Sequence, residues 1–203
     1  MKKLLAVFAF LALSSIPTHA QWRGSETPLF EVNGGYTYMY WQIPSSLQPP
    51  DHYNFNGWNA GGTLNIFNWL GLALDTSGVY CSQGASSGNT SEHIYSFLAG
   101  PRIYPLGHHR FTPFAHALVG LASYYIDFNQ PGTPNETDNN LSFAVGGGLD
   151  WKWTKHISVR VAELNYQQTR ALRADQAAIP GASVNNQNNF TYSGGLVIRF
   201  GEK

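Results

Sequence analysis

Three residues in the last third of the chain have the types that acyl-transfer chemistry uses. His156-Ile157-Ser158 places a base and a hydroxyl two residues apart, and Glu163 follows as a possible orienting carboxylate. In an extended chain, period two puts His156 and Ser158 on one face, as a base and its nucleophile require. The same alternation separates His93 from Ser96, leaving only Glu92 beside that histidine. His108 and His109 form a tempting metal pair, but adjacent turn residues rarely converge on one ion without further ligands. They are expected as solvated turn residues, and His116 as a hydrogen-bonded strand residue. No P-loop, dinucleotide fingerprint or Cys/His zinc pattern occurs. The expectation is a chain without a catalytic site, metal or cofactor.

Charge placement says more than these candidates. Alternation puts Glu31, Asp75, Asp150 and Glu163 on the same kind of face as Arg102, Lys152, Arg160 and Arg199. If that face is interior, the charges must pair, since an isolated buried ion costs several kcal/mol. A balanced network that closes the interior is the expectation, rather than a small gated pore or proton path.

The elements that carry these residues alternate with period two. In 190–200, Phe190, Tyr192, Gly194, Leu196, Ile198 and Phe200 share one face, with Thr191, Ser193, Val197 and Arg199 on the other. In 141–153, Leu141, Phe143, Val145, Leu149, Trp151 and Trp153 oppose Ser142, Ala144, Asp150 and Lys152. Six further strands are predicted near 29–41, 56–67, 70–80, 93–104, 112–127 and 157–170. The facing of 112–127 is ambiguous, and 157–170 slips register near Val161-Ala162, where a β-bulge fits. Short turns at 67–69, 105–110 and 154–156 alternate with polar loops near 43–55, 81–92, 128–140 and 171–188.

Composition places these strands in a membrane. Only 12% of the 203 residues are charged while 14% are aromatic; a soluble domain carries about twice that charge. After residue 20 no apolar run is long enough for a membrane helix, so a closed barrel remains. Aromatics fall in two bands, as bilayer interfaces favour. Trp69, Trp151, Trp153 and Phe200 lie toward the short turns; Tyr38, Tyr40, Trp58 and Tyr192 lie toward the loops. Residues 1–20 read as a cleavable signal peptide, with Lys2-Lys3, an apolar run from Leu4 to Leu13, and Thr18-His19-Ala20 at the cleavage site. The mature chain, 21–203, then has 10 Lys+Arg against 12 Asp+Glu, and lacks the basic stripe that nucleic acid requires. A single Cys81 excludes an internal disulfide framework.

These features resemble the OmpA/OmpX-type outer-membrane β-barrel family. The resemblance rests on the eight alternating segments, the final strand ending at Phe200, and the stretch Val145-Gly146-Gly147-Gly148-Leu149. The proline-started segment Pro113-Phe114-Ala115-His116-Ala117-Leu118-Val119-Gly120 adds to it. It implies an all-β, eight-stranded antiparallel transmembrane up-and-down β-barrel in the outer membrane, without the peptidoglycan-binding domain of longer members. It also implies a monomer that contacts outer-membrane lipid and lipopolysaccharide and is inserted by the barrel-assembly machinery. His156-Ile157-Ser158 is similar to the His-x-Ser of lipid A deacylase barrels, but falls at the opposite, periplasmic end. The expected role is structural or surface-interactive (adhesion-like). Near the base of the 171–188 loop, Arg170, Arg173 and Asp175 are candidates to meet lipopolysaccharide or a partner. The alternatives are a lipid-modifying enzyme barrel and a secreted soluble barrel binding an apolar ligand inside.

Overall fold

The computed structural model describes residues 27–42, 52–85, 88–128, 136–170 and 186–202. The segment read as a signal peptide lies outside them, as do Arg173 and Asp175. Eight strands form one closed antiparallel barrel in sequence order, with β8 returning to pair with β1. They are β1 (Pro28–Gln42), β2 (His52–Phe67), β3 (Leu70–Ala85), β4 (Gly88–Ile103), β5 (Phe111–Phe128), β6 (Glu136–Lys152), β7 (Ile157–Arg170) and β8 (Asn186–Glu202).

Register fixes the shape. Paired residues can be followed round the wall from Asn65 through Gly71, Arg102, His116, Gly146, Asn165, Thr191 and Met39. The path returns to β2 at Phe55, ten residues from its start. Such a stagger on eight strands tilts them by about 35–45° and leaves an interior wide enough for side chains only. Closure also pairs every strand on both sides, which a bilayer demands of any backbone crossing it.

The outward face carries Val32, Leu64, Leu72, Leu74, Phe97, Leu121, Phe143, Val145, Leu164 and Leu196, all exposed. The inward face carries Glu31, Thr63, Arg102, Asp150, Arg160 and Arg199, all buried. A soluble barrel would show the reverse. The facing of β5 is now clear: Thr112, Phe114, His116, Leu118, Ala122 and Tyr124 turn inward and are buried. The slip in β7 is a register shift between Arg160 and Glu163, matched by one between Leu149 and Asp150 on β6.

The loop-end connections differ from the sequence expectation. Residues 81–92 were expected as a polar loop, yet β3 runs to Ala85 and β4 starts at Gly88, paired from Cys81↔Glu92 to Ala85↔Gly88. The other loops shrink in the same way, because β2, β6 and β8 begin at His52, Glu136 and Asn186. Strands of 14 to 18 residues exceed the roughly 9–11 that span a bilayer. Ser, Thr, Asn and Gly in these extensions keep β pairing but lose the apolar alternation that marks a lipid-facing strand.

Candidate functional site

The barrel interior gathers the polar chemistry in two clusters, one at the turn end and one farther in. In the first, Arg199 Nε donates to Glu31 Oε1 at 3.1 Å and the Tyr104 hydroxyl donates to Oε2 at 2.9 Å. The His108 ring packs at a tilt of 44° against Tyr104, with ring centroids 4.3 Å apart and its Nε2 3.5 Å from Glu31 Oε1. Both come from the turn after β4, which folds up beneath the barrel. His108 is therefore buried, not the solvated turn residue expected, because its ring packs against the Tyr104 ring and meets a carboxylate. Gly107, at φ 66°, supplies the left-handed backbone that this inward fold needs.

The second cluster crosses the middle of the lumen. Arg102 donates to Asp75 at 2.9 Å and to Thr63 at 3.0 Å. Arg160 holds Asp150 through two nitrogens at 2.9 and 3.2 Å, and Glu163 at 2.7 Å. The Phe114 ring lies between the two guanidiniums, 4.8 Å from Arg102 and 4.5 Å from Arg160, an arrangement that cation–π attraction favours. The bulge in β7 brings Arg160 and Glu163 onto the same side, which strict alternation forbids for residues three apart.

His116 links the halves of this cluster. Its Nε2 lies 2.7 Å from Asn165 Oδ1, while Asn165 Nδ2 donates to Glu163. Nε2 must therefore carry the hydrogen, leaving Nδ1 to accept from Arg102 at 3.4 Å. Asp75, His116 and Glu163 offer ligand atoms within 4.8 Å of one another. Yet both carboxylates already bind guanidiniums and the ring hydrogen is committed, so the trio acts as part of a network rather than as a metal shell. Lys152, expected as a fourth interior cation, is half-buried at the turn end and stands outside both clusters.

Toward the loops the interior changes character. A cavity of about 40 Å³ lies above the charges, lined by Thr37, Ser77, Ser96, Leu98, Leu118 and Ser193 among others. Its hydroxyls pair across strands, Thr37 with Ser193 at 2.8 Å and Ser77 with Ser96 at 2.6 Å. Above it Met39, Phe55, Val79, Ile94 and Tyr124 pack into an apolar layer, with Cys81 against it. Sequence reading missed this layer. Its signal was the presence of apolar residues on both faces at the loop end of neighbouring strands, as in Tyr38-Met39-Tyr40.

The catalytic candidates do not assemble. His156 is exposed in the turn before β7, where its carbonyl accepts the Arg199 N–H at 2.8 Å. Ser158 is buried with its hydroxyl unpartnered among the described residues. Glu163 is held by Arg160 and Asn165. His93 packs edge-on to Tyr80 on the outside, while Ser96 points in. Of the aromatics assigned to two bands, Trp58, Trp69, Trp153, Tyr192 and Phe200 are exposed, whereas Tyr38, Tyr40 and Trp151 are half-buried against neighbours on the outer face.

Residues 6–200 match the family model described as the outer membrane protein β-barrel domain. The chain belongs to that family. It is thus an outer-membrane β-barrel protein, small, closed and all-antiparallel, as its register shows. No curated protein matches it in sequence. Among solved structures it is similar to Neisserial surface protein A, with a TM-score of 0.63 and 17% identity over 84% of this chain and 97% of that one. It is also similar to Ail, the attachment invasion locus protein of Yersinia pestis. That match has a TM-score of 0.54 and 17% identity over 84% and 98% of the two chains. A second Ail structure, in complex with the heparin analogue sucrose octasulfate, gives 0.57 and 16% over 84% and 99%. At these identities the likeness concerns the fold alone.

Proposed function

We propose that this barrel is a passive, monomeric, non-catalytic outer-membrane scaffold whose lumen is sealed and whose loop end meets partners outside the cell. The observation that carries the reading is the layer Arg102–Phe114–Arg160, in which two ion-paired guanidiniums clasp one ring across the lumen. Opening a path there would separate buried charges, at several kcal/mol each. The apolar layer from Met39 to Tyr124 adds a second seal that excludes hydrated ions. Outside, the exposed Trp58, Trp69, Trp153, Tyr192 and Phe200 and the half-buried Tyr38, Tyr40 and Trp151 serve as interfacial anchors in lipid and lipopolysaccharide. An N-terminal signal peptide and the barrel-assembly machinery belong to the same reading.

Surface contact is favoured over catalysis because the candidate triad is dispersed and loops are where a rigid scaffold leaves room for recognition. The loop-end segments hold Asp51, Glu92, Asp127, Glu136, Asp138 and Asp175 against Arg170 and Arg173. That balance suits a cationic partner better than a sulfated sugar of the kind bound by Ail. The test is to neutralise loop-end carboxylates with Glu92→Gln, Asp127→Asn, Glu136→Gln and Asp138→Asn together. The variant is expected to fold as a heat-modifiable barrel and to lower attachment of expressing cells to a cationic protein surface about tenfold. Attachment unaffected by the substitutions would contradict the reading.

A further inference from the structure

Among the described residues the charges of the lumen do not balance. Its middle layer sets Asp75, Asp150 and Glu163 against Arg102 and Arg160, three carboxylates to two guanidiniums. Glu31 and Arg199 cancel each other nearer the turns, and Lys152 lies at the turn end, outside both clusters. His116 supplies no charge. Its Nδ1 faces the Arg102 guanidinium, which can only donate, so the ring carries one hydrogen, on Nε2 toward Asn165. One negative charge is left over, and a buried charge without a counter-charge is strongly disfavoured.

The cavity above this layer presents oxygen atoms toward which nothing donates. Asp75 lines it, bonded to Arg102 through Oδ2 alone and with 20% of its side chain open. Gln167 and Thr191 line it from β7 and β8 and are only 4% and 7% exposed. Gln167 spends its amide N–H on Ser142 at 3.0 Å, which leaves Oε1 without a partner among the described residues. The Thr191 hydroxyl has none there either. A carboxylate, an amide carbonyl and a hydroxyl are the oxygen donors that hard cations take. The volume of about 40 Å³ has room for about three water-sized occupants. A single unit of missing charge selects a monovalent ion, since a divalent one would leave the layer as positive as it is now negative.

We propose that this cavity binds one sodium or potassium ion, held by Asp75, Gln167 and Thr191 with water completing its shell. His116 is not a ligand, because its ring is committed to Asn165 and Arg102. The ion enters as the barrel closes, with the Arg102–Phe114–Arg160 layer below it and the layer from Met39 to Tyr124 above. The refolding medium therefore sets its occupancy. The charge excess and the oxygen set exist whether or not the lumen conducts, so the site and the seal are tested separately.

The experiment refolds the full chain in detergent across a urea series, at one pH, in sodium, potassium or N-methylglucamine chloride. The three salts screen alike at equal concentration, but N-methylglucamine is too large for the cavity. The unfolding equilibrium constant of the wild type is expected about tenfold lower in sodium or potassium, as for a ligand of the folded state near ten times its Kd. Asp75→Asn, whose amide oxygen still accepts from Arg102, removes the excess charge and should make the three salts equivalent. Thr191→Val keeps the shape and should cut the difference at least about threefold. A heat-shifted gel band establishes that each variant is folded. Equal stability of the wild type in all three salts would overturn the proposal, as would a difference that both substitutions leave at full size. Stability that ignores the cation yet rises as the pH falls would assign the missing charge to a proton, which also overturns it.

Discussion

Arg160→Met is expected to be the most damaging single substitution in the lumen, lowering unfolding stability by about 3–5 kcal/mol. Among the described residues Arg160 alone forms an ion pair with Asp150, and it holds Glu163 as well. Methionine fills much of the volume and keeps contact with Phe114, so packing loss is small. What remains is two buried carboxylates, neither facing a guanidinium at contact distance. Denaturant titration of the detergent-solubilised barrel measures the loss. Adding Asp150→Asn and Glu163→Gln to the same chain should restore at least half of it, because neutral amides need no counter-charge. If the single variant were as stable as the wild type, the carboxylates would not be ionised and the network would not be ionic.

Gly195→Val is expected to prevent closure rather than merely weaken it. Gly35 and Gly195 face each other across the β1–β8 seam. A Cβ on Gly195 would lie 2.7 Å from Gly35 Cα and closer still to the Gly34 carbonyl oxygen. Both obstacles are backbone, so no rotamer relieves them and the seam must part. The cost is at least about 3 kcal/mol, at the upper end of overpacking, at the last pairing to form in sequence order. The compact, heat-shifted form should be lost on gels. Gly34→Ala is the control: its Cβ would meet only Asn59 O, at 3.8 Å, and the barrel should form normally.

Much of this architecture was legible in the sequence where one face of a strand meets lipid and the other meets charge. β6 and β8 alternate without a break, and Arg199 among Val197, Ile198 and Phe200 already pointed inward. Legibility failed where that contrast disappears. At 81–92 the sequence offers small and polar residues at both parities, so Ser-Gln-Gly and Asn-Thr-Ser read as loop although Cys81–Ala85 pairs with Gly88–Glu92. At Met39 and Phe55 the interior is itself apolar, and inward cannot be told from outward by hydropathy. His108 was lost for a different reason. Its burial comes from a turn folding beneath the barrel onto Tyr104, a tertiary event with no period to reveal it. The pairing of Arg160 with Glu163 needed the bulge; strict alternation would have set the two on opposite faces.

The sealed lumen is the account's central claim, and single-channel recording in a planar bilayer tests it most directly. Folded protein, verified by its heat-shifted band, should leave the membrane without steady conductance steps in 1 M salt, on the order of the highest screening commonly applied. Reproducible steps of uniform size from the wild-type barrel would mean that Arg102, Phe114 and Arg160 part under ordinary conditions, and the passive reading would fall.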